Sequence, residues 1–398
     1  MGAGALGPVA MEITDVRAVP LSDSVPEEKR HRTDLGTKVK TDATLVLVET
    51  DTEHTGIGAA LGHLPTIESI VEGSLASALV GENPTCTGRL WEKLYNGSRP
   101  SRRWSGATPS PGVTAGGTRS RRSRAWTPRS GSSPERRSAS RSTGSWGRSG
   151  TTPGATPAAD GRRSTGPPRS SGGYVGKGFD AVKVRAVGRE EFSVENTLER
   201  VEAAREAIGD DVDLMVDVHG SFDVPTAIKL ARRLEEYDVS WFEEPVSADD
   251  HPGLAEVRSA SEIPIAAGES EFTRFDFRSL FDHGAIDVAQ PDVARCGGIT
   301  ECRRIAAMAS ARNVKLAPYA WGNGVPFAAS IHLAMSVPNY HVLEVGQAYM
   351  PLLTDLFEED LGTREGRVHA PDRPGLGFTL REDFEERFDY VEGPEYEF

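Results

Sequence analysis

Apolar positions along the chain recur with two different periods. Ile13 to Pro20 and Thr44 to Glu49 read as strands, the second alternating through Leu45 and Leu47. Between them Ser22 to Thr41 is polar and charged and reads as a loop, and Gly56 and Gly58 end a short second hairpin arm. Ile67, Ile70, Val71, Leu75 and Leu79 recur at helical spacing, so Ile67 to Leu79 is a helix and the first part of the chain is a small α+β module.

Beyond Gly178 strand and helix patterns alternate. The strands are Ala181–Val184, Leu214–Val218, Val239–Phe242, Ile265–Ala267, Ile286–Ala289, Val314–Ala317 and Val342–Val345. Between them lie helices at Glu195–Ile208, Thr226–Tyr237, Leu254–Ser259, Phe275–His283, Ile299–Ala311 and Phe327–Val337. Pro225 ahead of one helix and Gly209–Asp210 behind another are start and stop signals. Seven strands with six helices between them are the run of a (β/α) barrel. A doubly wound open sheet is the competitor, but no Gly-rich nucleotide loop follows the first strand. One strand and one helix are missing upstream and would fall within 98–173. Strand-like pieces at Gly366–His369 and Gly377–Leu380 return toward the N-terminal module.

Composition divides the chain sharply. Between Ser98 and Gly173, 63 of 76 positions are Ser, Arg, Gly, Pro or Thr, and Val113 is the lone branched aliphatic. Fifteen Arg face only Glu135 and Asp160, a net charge of +13, while the other 322 residues carry −27 within an overall −14. Such a stretch cannot bury enough apolar surface to offset its ordering entropy. It reads as out-of-frame translation of a GC-rich gene, expected to be disordered. A disordered linker, or an Arg-rich tail binding nucleic acid through Arg119, Arg121, Arg122 and Arg124, are the alternatives. The acidic remainder suits a salt-rich cytosol and argues against nucleic acid as a partner. No run of eighteen apolar residues occurs, so no membrane partner is expected. Residues 1–10 read as an extension ahead of Met11, without the basic n-region of a secretory signal. Cys86, Cys296 and Cys302 fit neither a disulfide framework nor a zinc site. A cytoplasmic protein is expected.

In a barrel, chemistry sits where the strands run out at their C-terminal ends. The polar residues there are Lys183 and Arg185, Asp217 and His219, Glu243 and Glu244, Glu269, Asp292 and Glu344. Asp217, Glu243 and Glu269 follow one another at intervals of 26 residues, one βα unit each. Three converging carboxylates repel unless a cation sits among them, and an all-oxygen set favours Mg²⁺ over zinc. Local capping or ion pairing is the bland alternative. Lys183 and Arg185 point the same way from one strand, placing Lys183 to bind a substrate carboxylate and Arg185 near the reacting carbon. Arg185 is a poor base because guanidinium does not readily lose a proton. His219 is suited to general acid work near neutral pH, or to orienting substrate.

These residues resemble the enolase superfamily and, within it, the mandelate racemase subgroup. The resemblance rests on Asp217 in VDVHG, Glu243 in FEEP, Glu269 in AGE, QPDVARCGGITE (Gln290 to Glu301), PYAWGNG (Pro318 to Gly324), Glu344 and APDRPGLGF (Ala370 to Phe378). It implies an α/β fold, a (β/α)7β-type TIM barrel with an α+β capping domain built from the N- and C-terminal segments. The domains would be 11–97 for the cap, 174–345 for the barrel with its first strand lost to 98–173, and 346–398 returning to the cap. Asp217, Glu243 and Glu269 would be Mg²⁺ ligands, Asp292 the acid of an Asp–His dyad, and Glu344 a partner of the substrate carboxylate. The implied reaction removes a proton α to a carboxylate. The DxHG form at Asp217 and His219 is similar to acid-sugar dehydratases of the galactonate type, in which that His protonates the departing hydroxyl. Dehydration of a sugar acid to a 2-keto-3-deoxy acid is therefore expected, from a homo-oligomer. A muconate-type cycloisomerase, a racemase or a non-catalytic relative are the alternatives. Two positions depart from the family: Tyr319 stands where the dyad His is expected, and Arg185 where many relatives have Lys. The polar segment with Lys29, Arg30, His31 and Arg32 would lie over the pocket mouth.

Overall fold

The computed structural model describes residues 11–30, 32–33, 36–97, 155–159, 171–186, 193–361 and 364–397. The basic stretch 98–173 lies outside the described residues apart from 155–159 and 171–173. His31 is also outside them.

The N-terminal unit is an antiparallel three-stranded sheet, β1 (Ile13–Ser24), β4 (Lys40–Thr50) and β5 (Thr55–Ala60), with β4 in the centre. β1 and β4 stay paired as far as Ser24 opposite Lys40. Much of the expected Ser22–Thr41 loop is thus strand, and the remainder holds β2 (Arg32–Thr33) and β3 (Gly36–Lys38). Some of its polar side chains pair across the ladder: Ser22 Oγ donates to Asp42 Oδ1 at 2.7 Å. Gly56 and Gly58 lie inside β5 rather than ending an arm.

The expected helix is one continuous run, α1 (Leu64–Ile70), a π-helical turn at Val71–Leu75, and α2 (Ala76–Leu79). It buries Leu64, Ile67, Val71, Leu75 and Leu79. α3 (Thr87–Asn96) packs with it and pins the unit to the barrel: Trp91 Nε1 donates to the Gly297 carbonyl at 3.0 Å.

The barrel sheet runs β12-β11-β10-β9-β8-β7-β6-β13, all parallel. Its strands are β6 (Ala155–Ala159), β7 (Ala181–Arg185), β8 (Asp213–Asp217), β9 (Val239–Glu243), β10 (Ile265–Ala267), β11 (Val288–Ala289), β12 (Lys315–Leu316) and β13 (Leu343–Gly346). The ring closes where Leu316 N donates to Asn339 O and His341 N to Leu316 O, both at 2.8 Å.

β6 is a correction to the expectation that the first strand is lost. The strand sits between β13 and β7, inside the composition-biased stretch. Its sequence, ATPAA, has none of the branched aliphatic or aromatic residues that mark strands.

The connecting helices are α4 (Ser171–Val175) before β7 and then α5 (Val194–Ile208), α6 (Val224–Leu234), α7 (His251–Ser259), α8 (Thr273–Asp282), α9 (Gly298–Ser310) and α10 (Gly324–Ser336). Ser193 and Asp223 cap the N-termini of α5 and α6 with side-chain oxygens. α11 (Pro351–Thr354) and α12 (Phe384–Arg387) follow the barrel.

Strand residues alternate between two destinations. Val182, Leu214, Phe242 and Ile265 join the main core, while Ala181, Met215, Trp241, Ala266, Val288, Ala317 and Val342 form a separate apolar cluster inside the ring. Two residues farther along each strand direction stand Lys183, Asp217, Glu243, Gly268, Gln290, Tyr319 and Glu344. A polar layer therefore caps the apolar one at the C-terminal mouth.

The C-terminal segment returns to the first unit, but not through the strand-like pieces expected. Among the described residues those form only the single bridges Phe357–Leu380 and Arg364–Arg367, because Pro and Gly interrupt any longer ladder. The return is made by β14 (Tyr396–Glu397) beside β3, with Ser22 N donating to Phe388 O at 2.9 Å. Among the described residues no helix is long and apolar enough to cross a membrane.

Candidate active site

β7, β8 and β9 are in register so that Arg185, Asp217 and Glu243 are neighbours at the strand ends. Lys183 is buried, and its Nζ lies 2.6 Å from Glu243 Oε1 and 2.7 Å from Glu344 Oε2. Burial disfavours its charge, but Glu243 and Glu344 outweigh that, and its pKa rises above the ordinary lysine value. Lys183 is thus a fixed cation, unsuited to accept a proton. Arg185 Nε pairs with Asp217 Oδ2 at 2.8 Å. The other Asp217 oxygen accepts the His219 backbone N–H at 2.9 Å.

The chain turns sharply after β8 and β9. His219 and Glu244 both lie in the left-handed region, with φ of 49° and 40°, a strained choice for residues with a Cβ. After β10 the turn uses Gly268 at φ 136°, where a Cβ would meet the Phe277 ring at 2.8 Å. These turns bring His219, Glu244 and Glu269 together, with one ligand atom from each lying within 4.8 Å of the others. His219 Nε2 is 3.7 Å from Glu269 Oε1.

The other carboxylates of the mouth have their own partners. Glu269 stands with His219 and Glu244, while Glu243 accepts from Lys183, from Trp241 Nε1 at 3.0 Å and from Gln290 Nε2 at 2.8 Å. Glu244 stands among the strand-end polar residues of the sequence and Gln290 opens the QPDVARCGGITE motif, but neither carried an assigned role. The FEEP doublet was the available signal for Glu244, since only the turn after Glu243 aims two successive carboxylates at one mouth.

Five carboxylates, Asp217, Glu243, Glu244, Glu269 and Glu344, are buried here against Lys183 and Arg185. The imbalance is visible in their acidities. Burial pushes Glu243 up to about 7, opposed by Lys183, and burial together with the Glu269 charge pushes Glu244 up to about 9. Burial raises Glu344 as well. Glu269 is lowered: burial opposes its charge, but the His219 hydrogen bond and Lys183 outweigh burial. Glu244 Oε1 is buried without a hydrogen-bond partner. Excess buried negative charge and an unsatisfied carboxylate oxygen are what a hard divalent cation neutralises, so the residues fit Mg²⁺. His219 beside the cluster adds one nitrogen to the all-oxygen set expected.

Asp292 and Tyr319 are adjacent through a parallel backbone bridge, but no hydrogen bond joins their side chains among the described residues. Burial pushes Asp292 up to about 6, opposed by Arg295 and by the Ala294 N–H that its Oδ1 accepts at 2.7 Å. Burial and the charges of Glu269, Glu344 and Asp292 push the Tyr319 phenol well above its ordinary value, so it is not a base at neutral pH. Its ring lies 5.8 Å from Lys183 Nζ.

Of the basic residues expected near the mouth, Lys29 Nζ sits 3.9 Å over the Tyr349 ring, and Arg30 Nε donates to the Val25 carbonyl at 3.2 Å.

Comparison with known proteins agrees with this geometry. The family described as enolase C-terminal domain-like matches residues 171–384. A D-galactarolactone cycloisomerase from Agrobacterium fabrum is 34% identical over 215 residues, 52% of this chain and 56% of the relative. An arabinonate dehydratase from Saccharolobus solfataricus is 34% identical over 214 residues, 54% of this chain and 56% of the relative. The chain spans about half the length of the curated relatives it matches. The crystal structure of an enolase superfamily member from Polaromonas sp. JS666 superimposes with a TM-score of 0.77 at 29% identity, covering 97% of this chain and all of the other. With the barrel, the cap and the polar mouth in place, the chain belongs to the enolase C-terminal domain-like family, among the sugar acid dehydratase and mandelate racemase relatives of the enolase superfamily.

Proposed function

We propose that this protein removes the proton α to a carboxylate and dehydrates a sugar acid to a 2-keto-3-deoxy acid with Mg²⁺ bound. The observation that carries the reading is the buried, under-neutralised carboxylate layer with Lys183 held between Glu243 and Glu344. Dehydratase relatives at about a third identity support the substrate class.

Asp217, Glu243 and Glu269 would hold the ion, with Glu244 as the neighbouring carboxylate. When bound, the ion supplies a Lewis acid that stabilises negative charge developing on the substrate carboxylate. Lys183 contributes a second, permanently fixed positive charge to the same end of the substrate. Because it is positioned in advance, it stabilises the transition state with little reorganisation. Arg185, tied to Asp217, presents its guanidinium beside the reacting carbon. His219 is the side chain left to move protons: it accepts the α-proton and delivers a proton to the departing β-hydroxyl. One residue serving both steps requires both groups on the same face of the substrate, and so syn loss of water. Racemisation needs a second, opposed base, and neither the fixed Lys183 cation nor the high-pKa Tyr319 supplies one. The cycloisomerase relative favours lactone chemistry as the second reading, which shares the α-proton step.

The test is a panel of sugar acids with Mg²⁺, read as 2-keto-3-deoxy acid by a carbonyl-specific colour reaction and by mass. His219→Asn is expected to lower turnover by about 10²–10⁴-fold. Full activity in that variant contradicts the proton path, and lactone products without keto acid favour the second reading.

A further inference from the structure

Gln290 follows β11 directly and is 2% exposed. Its backbone is fixed from both sides of the sheet. Its N–H donates to the Ala267 carbonyl at 3.0 Å, and the carbonyl of Pro291, the next residue, accepts from Tyr319 N at 3.2 Å. β10 lies between β9 and β11, and at this level it carries Gly268, which has no side chain. The Gln290 side chain crosses that gap, and its Nε2 donates to Glu243 Oε2 at 2.8 Å.

The amide is a costly choice for this place. An ionised carboxylate only accepts hydrogen bonds, so the amide turns its nitrogen to Glu243 and leaves its own Oε1 buried without a partner. An enclosed carbonyl of this kind lowers stability where an apolar side chain would not. Neutralising Glu243 does not require it: Glu243 Oε1 already has the Lys183 ammonium at 2.6 Å, and Oε2 already accepts from Trp241 Nε1 at 3.0 Å. What Gln290 adds is direction. The last torsion of a glutamate side chain is broad, and an ammonium is a compact point charge that imposes no plane on its partner. Trp241 approaches Oε2 from Glu243's own strand and Gln290 approaches it from two strands away. Together the two donors fix the carboxylate plane and keep Oε1 beside Lys183.

We propose that Gln290 is a positioning residue, which orients Glu243 so that Oε1 is the oxygen it offers to a divalent cation at the mouth. Groups that hold the second oxygen of a ligating carboxylate act without touching the ion, and removing one weakens metal affinity by about 10–100-fold. The role rests on the Mg²⁺-dependent reading above, and its test reads binding of the ion apart from turnover.

Mg²⁺ binding without substrate is measured by calorimetry, and melting in the presence of a chelator, for the wild type, Gln290→Met, Trp241→Phe and Val288→Ala. Methionine keeps the length of the side chain and removes the donor together with the orphaned carbonyl. Gln290→Met is expected to weaken Mg²⁺ binding about tenfold or more and to melt no lower than the wild type. Trp241→Phe removes the other donor to the same oxygen and is expected to weaken Mg²⁺ as well; should Gln290→Met fail to fold, it decides. Val288→Ala opens space in the apolar cluster beneath, which also contains Trp241, and leaves both donors in place. It is expected to melt lower and to bind Mg²⁺ as the wild type does. In turnover, Gln290→Met is expected to need more Mg²⁺ for its half-maximal rate, with the substrate KM at saturating Mg²⁺ unchanged. Equal Mg²⁺ affinity in the wild type and Gln290→Met overturns the proposal, as does a loss in Val288→Ala that matches the loss in the donor variants. Binding of Mg²⁺ that depends on Gln290 without keto-acid formation leaves the positioning role standing and sinks the reaction, whereas a wild type that takes up no Mg²⁺ overturns both.

Discussion

Asp292 offers a quantitative test of the electrostatics under the barrel mouth. It is fully enclosed, and burial holds its pKa at about 6 against an ordinary 3.8. A carboxyl raised in this way lowers the stability of the fold as pH climbs from 3.8, and the loss is complete once pH passes about 6. Each pH unit of difference is worth about 1.36 kcal/mol, so the cost at neutral pH is about 3 kcal/mol. Asp292→Asn removes the charge and keeps an oxygen for the Ala294 N–H. It also turns an amino group toward Arg295 Nε, 3.8 Å from Asp292 Oδ2, which makes about 3 kcal/mol an upper figure. Urea unfolding of wild type and variant across pH 3.5–8, an assay range of roughly the span over which these carboxyls titrate, is expected to show the variant more stable at pH 7. The difference should shrink below about 6 and vanish near 3.8. A variant less stable at pH 7, or a gap that does not change with pH, refutes the reasoning.

Other substitutions probe the frame and the site. Glu301 is completely buried between Arg274 and Arg304, each 2.7 Å from its Oε2, and Arg274 also reaches Glu92 on α3. Glu301→Ala leaves two guanidinium groups without their buried partner and is expected to cost about 3–5 kcal/mol by urea unfolding. Gly268→Ala places a Cβ 2.8 Å from the Phe277 ring at φ 136°. It is expected to cost more than about 1 kcal/mol and to weaken Mg²⁺ binding by displacing Glu269, read by calorimetry. Lys183→Met strips Glu243 and Glu344 of their cation, and kcat is expected to fall by about 10²-fold or more.

The barrel strands β7 to β9 were legible because each is a short apolar run ending in a charged residue, β10 because its apolar run stops two residues before Glu269, and the 26-residue interval put Asp217, Glu243 and Glu269 on consecutive units. What escaped the sequence has identifiable causes. β6 is built from Ala, Thr and Pro, so nothing in its pattern marks a strand, although its neighbours β7 and β13 hold it in place. The Ser22–Thr41 segment looked like a loop because Ser22, Asp23, Lys38 and Lys40 are polar, yet backbone pairing and contacts with the C-terminal segment order much of it. The π turn at Val71–Leu75 keeps helical apolar spacing and is invisible to periodicity. Glu244 was listed at the strand ends without a role because alternation aims it away from Glu243, and its left-handed backbone reverses that.

Mg²⁺ titration by calorimetry on the wild type and on Glu269→Gln, Glu243→Gln and Glu244→Gln tests the central claim most directly. Glu269 belongs both to the expected ligand set and to the cluster with His219 and Glu244. The account predicts one Mg²⁺ per chain, lost in Glu269→Gln and in Glu243→Gln and weakened in Glu244→Gln, whose unpartnered carboxylate oxygen lies in the same cluster. A wild-type chain that takes up no Mg²⁺, or binding that survives Glu269→Gln unchanged, contradicts it.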